Sequence, residues 1–403
     1  MRVCYITHSA PCGKGETFII NELNTIRKYF DVVILPLRPR GTPQYEDAKM
    51  LLDDSIIIPL FNFRIFIHFL FSIFSNPVQM FKTIINIFAE SRSLRVLLRN
   101  LCVVPKAFYV TNTLKDLNIS HIHCHWSCIQ TTFGSIVAKN LGVGFSFTAH
   151  SYDIDENNML RQKVSESSFV RTISQNAKNQ IIELTGLYEL NQKIHIIHMG
   201  VTIPIVSNKT NHKKKSREVI VCPANVEEIK GQKYLIQACA LSKSTGLSLK
   251  CLIIGDGPDI PKLKSLITEK GLEDDVFLEG YYPHSKLMSM MQNENIDIVI
   301  LPSIAMQNGY SEGIPVALIE AMSYKIPVIS TNTGDISELL GQDCGIMVEQ
   351  KDPEELSKAI MNVLTDKSLR ESLRTSGFQR VNNEYNIQNS CKDLANLIKE
   401  SIE

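Results

Sequence analysis

The sequence alternates short apolar runs with longer amphipathic runs, and it does so in both halves of the chain. Strands are predicted at 2–7, 31–36, 119–125, 145–149, 168–173 and 194–197, and again at 218–222, 249–254, 275–279, 296–301, 326–330 and 345–348. Helices are predicted at 16–29, 78–117, 128–141 and 175–185, and again at 231–245, 259–271, 284–293, 315–324 and 353–364. Strands that alternate with helices are typical of doubly wound parallel sheets. The pattern therefore predicts an α/β protein with two such sheets.

A polar, basic segment separates the two halves. Residues 204–217 lack apolar periodicity, so they are predicted to form an interdomain linker, and the three consecutive lysines at 213–215 are interpreted as a solvated charge run. The first domain is predicted to cover 1–203, with a helical insertion at 61–117. The second is predicted to cover 218–383, and a helix at 384–403 is predicted to cross back to the first domain.

Composition excludes several classes of protein. The formal net charge is zero, so no overall field favours nucleic acid as a partner. The 10 cysteines have no paired spacing and several lie in apolar runs, which indicates reduced thiols in a reducing compartment. The first residues read as a strand and lack the features of a signal peptide, and no uncharged run has the length of a spanning helix. We therefore predict a cytoplasmic protein.

Two glutamates follow a predicted buried strand in the second half. Glu312 lies in a loop rich in glycine and proline, and Glu320 lies in the predicted helix that follows. The residues between the loop glutamate and the helix are Gly313, Ile314, Pro315 and Val316. A strand, a loop and a proline at a helix start place free backbone N–H groups and the positive end of the helix dipole at the edge where open α/β sheets bind phosphorylated ligands. We predict that a solvent-facing Glu312 holds sugar hydroxyls and Glu320 a ribose; the alternative is an ordinary strand–helix unit with two surface acids.

The same segment, continued through 325–338, resembles the nucleotide-sugar half of the family 4 retaining glycosyltransferases. The resemblance covers nearly the whole chain and is strongest at 13–22, 121–154 and 303–338. It implies the GT-B fold, in which two doubly wound Rossmann-like domains face a cleft. It also implies transfer of a hexose-type sugar, with retention of configuration, from a nucleotide-diphosphate sugar to a hydroxyl of a lipid-linked glycan, in synthesis of bacterial exopolysaccharide or lipopolysaccharide.

The resemblance assigns further donor contacts to loops of the second half. It places Lys230 on a lysine that clamps the donor diphosphate, and Asn225 where the family usually has an arginine. Asparagine carries no charge and lacks the bidentate fork of arginine, so one of the two usual cations is missing. Gly255 and Gly257 follow a predicted strand and are expected to let the backbone turn sharply toward the nucleotide, although a simple turn would use the same residues.

Two loops of the first half carry the remaining assignments. Gly15 and Glu16 lie at the start of a predicted helix and are expected near the donor phosphate; the alternative is that they only start that helix. His150 ends an apolar strand, and the resemblance places it beside the transferred sugar. Asp153, in the same motif, is expected either to organise the loop or to contact the acceptor.

A histidine-rich strand admits two interpretations. His121, His123 and His125 alternate onto one strand face close to Cys128, so a zinc site is chemically possible. The family, however, has a similar run without metal. We therefore predict that His123 and His125 border the acceptor pocket, and that the protein needs neither a metal ion nor a cofactor beyond its donor substrate.

Residues 61–110 form an unusual basic and aromatic segment. Six Lys or Arg residues stand against a single acid, Glu90, and phenylalanines are dense. Such a segment suits a helical insertion that contacts an anionic membrane surface or a lipid-linked acceptor. The equally open alternative is a helical pair packed on the first sheet.

Two rival functions fit the same fold. A nucleotide-sugar epimerase would need an acid–base set and would release isomerised nucleotide sugar. A non-catalytic subunit would have kept the fold and lost turnover, and Asn225 is the residue that favours it.

Overall fold

The structure is a computed structural model that describes residues 1–13, 16–43, 46–205, 217–293, 296–307, 309–341 and 343–403. It divides into two compact units. The first comprises Met1–Gly200 together with Ile387–Glu403, and the second comprises Val201–Asn386. Residues 206–216 of the predicted linker lie outside the described residues.

The first unit is built on a parallel sheet of six strands. Its strands are β1 (Arg2–Thr7), β2 (Asp31–Pro36), β3 (His121–His125), β4 (Gly144–Ala149), β5 (Val170–Thr172) and β6 (Ile194–Ile196), in the spatial order β2-β1-β3-β4-β5-β6. Its helices are α1 (Thr17–Ile26), α2 (Glu46–Lys49), α3 (Phe63–Ser75), α4 (Pro77–Glu90), α5 (Leu94–Lys115), α6 (Ile129–Leu141), α7 (Ser151–Asp155), α8 (Leu160–Glu166) and α9 (Gln175–Thr185), followed by a 3₁₀ helix at Tyr188–Lys193. Buried aliphatic residues on both faces of the sheet form its core.

The second unit repeats this architecture. Its strands are β7 (Glu218–Pro223), β8 (Leu249–Ile254), β9 (Val276–Gly280), β10 (Ile298–Leu301), β11 (Val328–Thr331) and β12 (Ile346–Val348), in the order β12-β11-β10-β7-β8-β9. Its helices are α10 (Gln232–Ser244), α11 (Ile260–Glu269), α12 (His284–Gln292), α13 (Val316–Ser323), α14 (Ile336–Leu340), α15 (Pro353–Thr365) and α16 (Lys367–Glu384), with a 3₁₀ turn at Glu228–Lys230. All described strand pairs of both sheets are parallel. The prediction of two doubly wound α/β units is confirmed.

The last helix, α17 (Ile387–Glu400), belongs to the first unit. Its apolar side packs with residues of β1 and α1, and Leu394 and Ile398 are fully buried there. The Cys391 thiol lies 3.8 Å from the backbone oxygen of Glu22 in α1.

Several helices differ from the prediction. The single helix predicted at 78–117 is two helices: α4 ends at Glu90, and Ser93 caps the start of α5 by accepting a hydrogen bond from the Val96 N–H at 3.2 Å. The short or polar helices that were not predicted are α2, α7, α8, α14 and α16, whereas α3 lies within the helical insertion predicted at 61–117. Within the described ranges, no helix has both the length and the apolar character needed to cross a membrane.

Candidate functional site

The predicted donor residues of the second unit lie in loops at the carboxyl ends of β7, β8 and β10. This edge follows from the topology, because all strands of the sheet run in the same direction. Lys230 and Glu312, which lie in two different loops, meet there. The Lys230 Nζ lies 2.7 Å from Oε1 and 2.5 Å from Oε2 of Glu312, and the Ser303 hydroxyl donates to Oε2 at 3.3 Å.

The exposure of this pair corrects one expectation. The Glu312 side chain is 16% exposed and that of Lys230 is 20% exposed. The prediction that Glu312 faces solvent is therefore wrong: its carboxylate is turned onto the lysine of the neighbouring loop. The loop is also held by its backbone, since the Asp335 N–H donates to the Glu312 carbonyl at 3.1 Å.

The two predicted glycines after β8 pack against the loop after β7. A Cβ on Gly255 would lie 2.0 Å from the Ala224 carbonyl oxygen, and a Cβ on Gly257 would lie 2.2 Å from that of Val226. Any side chain at these positions would push the two loops apart. These glycines thus allow the close approach of the loop that carries Lys230; their contact with a nucleotide stays a prediction.

Asn225 occupies an exposed position in the same loop. Its backbone oxygen accepts a hydrogen bond from the Gln232 side chain at 2.7 Å, which ties the loop to the start of α10. The backbone at this position is thereby fixed while the side chain lies at the surface.

Glu320 lies on α13, one turn after Val316. Its Oε1 lies 2.6 Å from Nε2 of His284, the first residue of α12. His284 was not predicted to be near the site, because nothing in its local sequence indicates a contact with α13. Gly313, Ile314 and Pro315 lead from Glu312 into the N-terminus of α13, as predicted.

In the first unit, Glu16 organises the loop after β1. Its Oε2 accepts hydrogen bonds from the Ser9 N–H and hydroxyl, both at 2.8 Å, and from the Ala10 N–H at 2.6 Å, while the Trp126 indole donates to Oε1 at 3.1 Å. Burial favours the protonated acid, but these donors hold the pKa of Glu16 below its ordinary value. Gly15, predicted beside it, lies outside the described residues.

His150 is the end of a buried chain of polar side chains. Its Nε2 lies 2.8 Å from Nε2 of His125, and the Nδ1 of His125 lies 3.5 Å from Oε1 of Glu22. Glu22 also accepts hydrogen bonds from the hydroxyl of Tyr5 and, at 2.5 Å, from Arg171. All five side chains are at most 9% exposed.

The charges in this chain can be assigned from its geometry. Burial alone would raise the pKa of Glu22, but Arg171 and His125 hold that pKa well below its ordinary value. Burial, together with His125 and Arg171, lowers the pKa of His150 well below its ordinary value, so its imidazole is neutral. The Nε2 atoms of His125 and His150 lie within hydrogen-bond distance, so one of them donates and the other accepts.

Two aromatic rings lie close to the ring of His150. The Trp126 ring centroid lies 4.4 Å from that of His150, and the Phe18 centroid lies 5.9 Å away. Glu22, Arg171 and Trp126 were not among the predicted site residues. Glu22 and Trp126 do lie within the motifs that carry the resemblance, but Arg171 has no such signal.

Asp153 organises the loop that carries His150. Its Oδ1 accepts a hydrogen bond from the His150 N–H at 2.6 Å, and its Oδ2 accepts one from the Ser127 N–H. Burial, only partly opposed by these donors, raises the pKa of Asp153 to about 6. The carboxyl is 1% exposed, which supports the loop-organising alternative over direct contact with an acceptor.

The remaining strand histidines hold β3 to β4. His123 is fully buried, and its two ring nitrogens lie 2.8 Å from the Ser146 hydroxyl and 2.9 Å from that of Thr148. The ring nitrogens of His123 are thus satisfied within the sheet, and the location of His123 and His125 at the border of an acceptor pocket stays a prediction. His121 shares the Ser146 hydroxyl at 2.8 Å. In the part of the chain that the structure describes, no group of three or more His, Cys, Asp or Glu side chains is arranged to hold a metal ion.

Comparison with known proteins finds a family model that matches the second unit and solved structures that share the fold of the chain. Residues 206–380 match the family model "Glycosyl transferases group 1". Over its whole length the chain superposes on the structure of Anabaena Alr3699/HepE in complex with UDP, with a TM-score of 0.73, 16% identity, and coverage of 99% of this chain and 100% of that one. The fold is GT-B. The same Anabaena protein in complex with UDP-glucose gives a TM-score of 0.70 at 17% identity, covering 99% and 100% of the two chains.

Relatives of higher identity match part of the chain. The putative colanic acid biosynthesis glycosyltransferase WcaL of Escherichia coli K12 is 32% identical over 211 residues, which are 52% of this chain and 51% of WcaL. The amylovoran biosynthesis glycosyltransferase AmsK of Erwinia amylovora is 28% identical over 209 residues, again 52% and 51%. The chain thus spans about half the length of the curated relatives it matches.

Proposed function

We propose that this protein is a retaining glycosyltransferase of the family 4 type. It transfers a sugar from a nucleotide-diphosphate sugar to a hydroxyl of a lipid-linked glycan in the synthesis of a bacterial surface polysaccharide, in the cytoplasm. The bond from the sugar C1 to the diphosphate oxygen breaks, a bond from C1 to the acceptor oxygen forms, and the proton of the acceptor hydroxyl passes to the departing diphosphate. The observation that carries the proposal is the Lys230–Glu312 pair, which lies within the segment that matches the family model.

In the proposal, Lys230 and Glu312 exchange each other for parts of the donor when it binds. In the described state Lys230 and Glu312 neutralise each other, and both remain partly exposed. In the proposal, sugar hydroxyls donate to the Glu312 carboxylate, and Lys230 turns to the diphosphate, where its charge stabilises the leaving group. The N-terminus of α13, entered through Gly313, Ile314, Pro315 and Val316, adds backbone N–H groups to the same anion.

The other predicted residues take supporting roles in the proposal. Glu320, held by His284, is positioned to receive a ribose hydroxyl. His150 contacts the transferred sugar from the first unit, with its ring held neutral by the chain through His125. The structures of the Anabaena protein with UDP and UDP-glucose support a uridine nucleotide as the first donor to test.

Transfer is proposed to need no metal ion, because Lys230 and the start of α13 supply positive charge to the diphosphate. Activity should therefore persist in a chelator. A loss of activity in EDTA that manganese restores would contradict this part of the proposal.

The test is turnover by the purified chain with UDP-sugars and a lipid-linked glycan extract as acceptor. We expect Glu312→Gln and Lys230→Met each to lower kcat by roughly 10²–10³-fold, the effect of removing a charge-stabilising group. Glu354→Gln, an exposed glutamate at the start of α15, is the matched control and should transfer normally.

Three outcomes would contradict the proposal. Normal transfer by Glu312→Gln would remove the assigned site. Isomerised nucleotide sugar without transfer would favour an epimerase. Nucleotide binding without turnover of any donor would favour the non-catalytic subunit.

A further inference from the structure

Helix α3 carries a second apolar stripe that faces outward. Its buried residues are Ile65 and Ser72, which lie seven positions apart on one side. Six other apolar residues are exposed by 44 to 83% and follow helical spacing: Phe63, Phe66, Ile67, Leu70, Phe71 and Phe74. A helix that only packs on a core places one apolar stripe inward and polar residues outward. Packing against the first unit therefore explains the buried side of α3. It does not explain why the exposed side of the helix carries apolar residues.

The next two helices extend this exposed surface. On α4, one side is exposed at Val78, Phe81, Ile85 and Phe88, while Met80, Thr83 and Ile87 are buried. The start of α5 adds Leu94 and Leu98, which are one turn apart. We call these twelve exposed residues of α3, α4 and α5 the outer apolar face. Single exposed apolar residues are common on proteins, but twelve of them on three helices that pack against one another point to an interaction site.

The charge around the outer apolar face is positive. Arg64, Lys82, Arg92 and Arg95 are exposed at or beside it, against the single acid Glu90. The other two basic residues of the segment serve the fold instead. Arg99 pairs with Glu156 of the first unit, and Lys106 is buried, with its Nζ 2.8 Å from the carbonyl oxygens of Pro36, Leu37 and Ile58.

We propose that the outer apolar face binds reversibly to the surface of an anionic lipid bilayer. The phenylalanines enter the boundary between headgroups and acyl chains, and the four exposed basic residues contact lipid phosphates. Apolar insertion combined with basic residues is the pairing that interfacial helices use. A second copy of this chain fits less well, because two copies of a positive surface would repel each other. This inference does not depend on sugar transfer.

The first experiment separates apolar insertion from unspecific adsorption. The full chain is floated with vesicles of phosphatidylcholine mixed with phosphatidylglycerol, and with vesicles of phosphatidylcholine alone. We expect flotation with the anionic vesicles and its loss in the double variant Phe66→Ser/Phe71→Ser. Tyr188→Ser, an exposed aromatic residue of the first unit outside the outer apolar face, is the control and should float normally. UDP binding, measured in parallel, should be unchanged in all variants.

The second experiment tests the charge. Arg92→Ser/Arg95→Ser should weaken binding to the anionic vesicles by about fivefold per residue at low salt, and the difference should shrink at high salt. Lys264→Ser/Lys358→Ser, two exposed lysines of the second unit, should bind normally. Wild-type protein that fails to float at low salt would overturn the proposal. So would a dimer, seen by light scattering, that Phe66→Ser/Phe71→Ser dissociates, since it would identify a second copy as the occupant.

Discussion

Each unit contains an ion pair on which its candidate site depends, and the side chains of the two pairs differ in burial. Glu22 and Arg171 of the first unit are 3% and 0% exposed, whereas Lys230 and Glu312 of the second are 20% and 16% exposed. The first pair has no access for a ligand, because Tyr5, His125 and backbone carbonyls fill its surroundings. The side chains of the second pair are partly accessible to solvent.

The difference separates two uses of an ion pair. A buried pair loses so much hydration that neither member can leave without a large cost, so it fixes geometry. A partly exposed pair is weak, and either member can exchange its partner for a ligand at little cost. The Glu22–Arg171 pair therefore holds His125, and through it His150, in one orientation, while the Lys230–Glu312 pair is suited to opening.

The strongest test of this comparison is the same substitution in both pairs. Glu22→Gln leaves the buried charge of Arg171 unpaired and should lower the free energy of unfolding by about 3–5 kcal/mol. Glu312→Gln should lower it by about 1 kcal/mol or less. Urea unfolding followed by circular dichroism measures both losses.

A surface pair sets the baseline for that experiment. Glu46→Gln breaks the exposed pair with Lys49 and should change stability by less than about 1 kcal/mol. Equal losses for Glu22→Gln and Glu312→Gln would remove the distinction between a fixed pair and an exchangeable one.

The sequence predicted the sheets more accurately than the helices around them. Buried parallel strands are short, continuous apolar runs, and each of the twelve can be read locally. Helix α16 buries little beyond Leu373, Gly377 and Val381, so its apolar pattern is too sparse to read. Helices α4 and α5 were predicted as one helix, because the apolar spacing continues across the break at Ser93.

The site was predictable only in its motif residues. Lys230 and Glu312 were each identified from their own loops, but they are 82 positions apart, so their contact was not predicted. Glu22 and Arg171 are 149 positions apart, and a lone arginine in a short strand gives no sign of a buried partner. Pairings of this kind are set by strand order, which short-range patterns do not contain.

Acid should destabilise the first unit more than the second. Burial lowers the pKa of His121 to about 4 and those of His123 and His150 well below their ordinary value, so the unfolded state binds more protons below about pH 6.5. These three histidines therefore contribute stability above that pH and lose it as pH falls. Asp153 acts in the opposite sense. Its pKa is raised to about 6, so the folded state binds this proton more tightly than the unfolded state, and Asp153 adds stability to the protein as pH falls toward about 4.

The balance predicts that the first unit loses stability between about pH 6 and pH 5. The single tryptophan of the chain, Trp126, lies in the first unit, so its fluorescence reports that unit while circular dichroism reports both. The midpoint of urea unfolding followed by fluorescence should fall faster with acid than that followed by circular dichroism. Identical shifts with both probes would show that acid does not distinguish the units.

The smallest expected effect concerns the charge that the second unit lacks. Asn225 is exposed on the loop that carries Lys230, and its backbone is fixed by Gln232, so a longer side chain fits without moving the loop. Asn225→Arg should tighten UDP binding by about 1–3 kcal/mol, because arginine adds a charge-assisted, bidentate hydrogen-bond donor for phosphate. The gain should diminish at high salt, since part of it is electrostatic.

Asn225→Gln, which lengthens the side chain without charge, is the matched control and should bind UDP like the wild type. Titration calorimetry measures all three proteins. Unchanged affinity in Asn225→Arg would mean that this side chain points away from the diphosphate, and that Lys230 is the only cation the loop brings to the proposed donor.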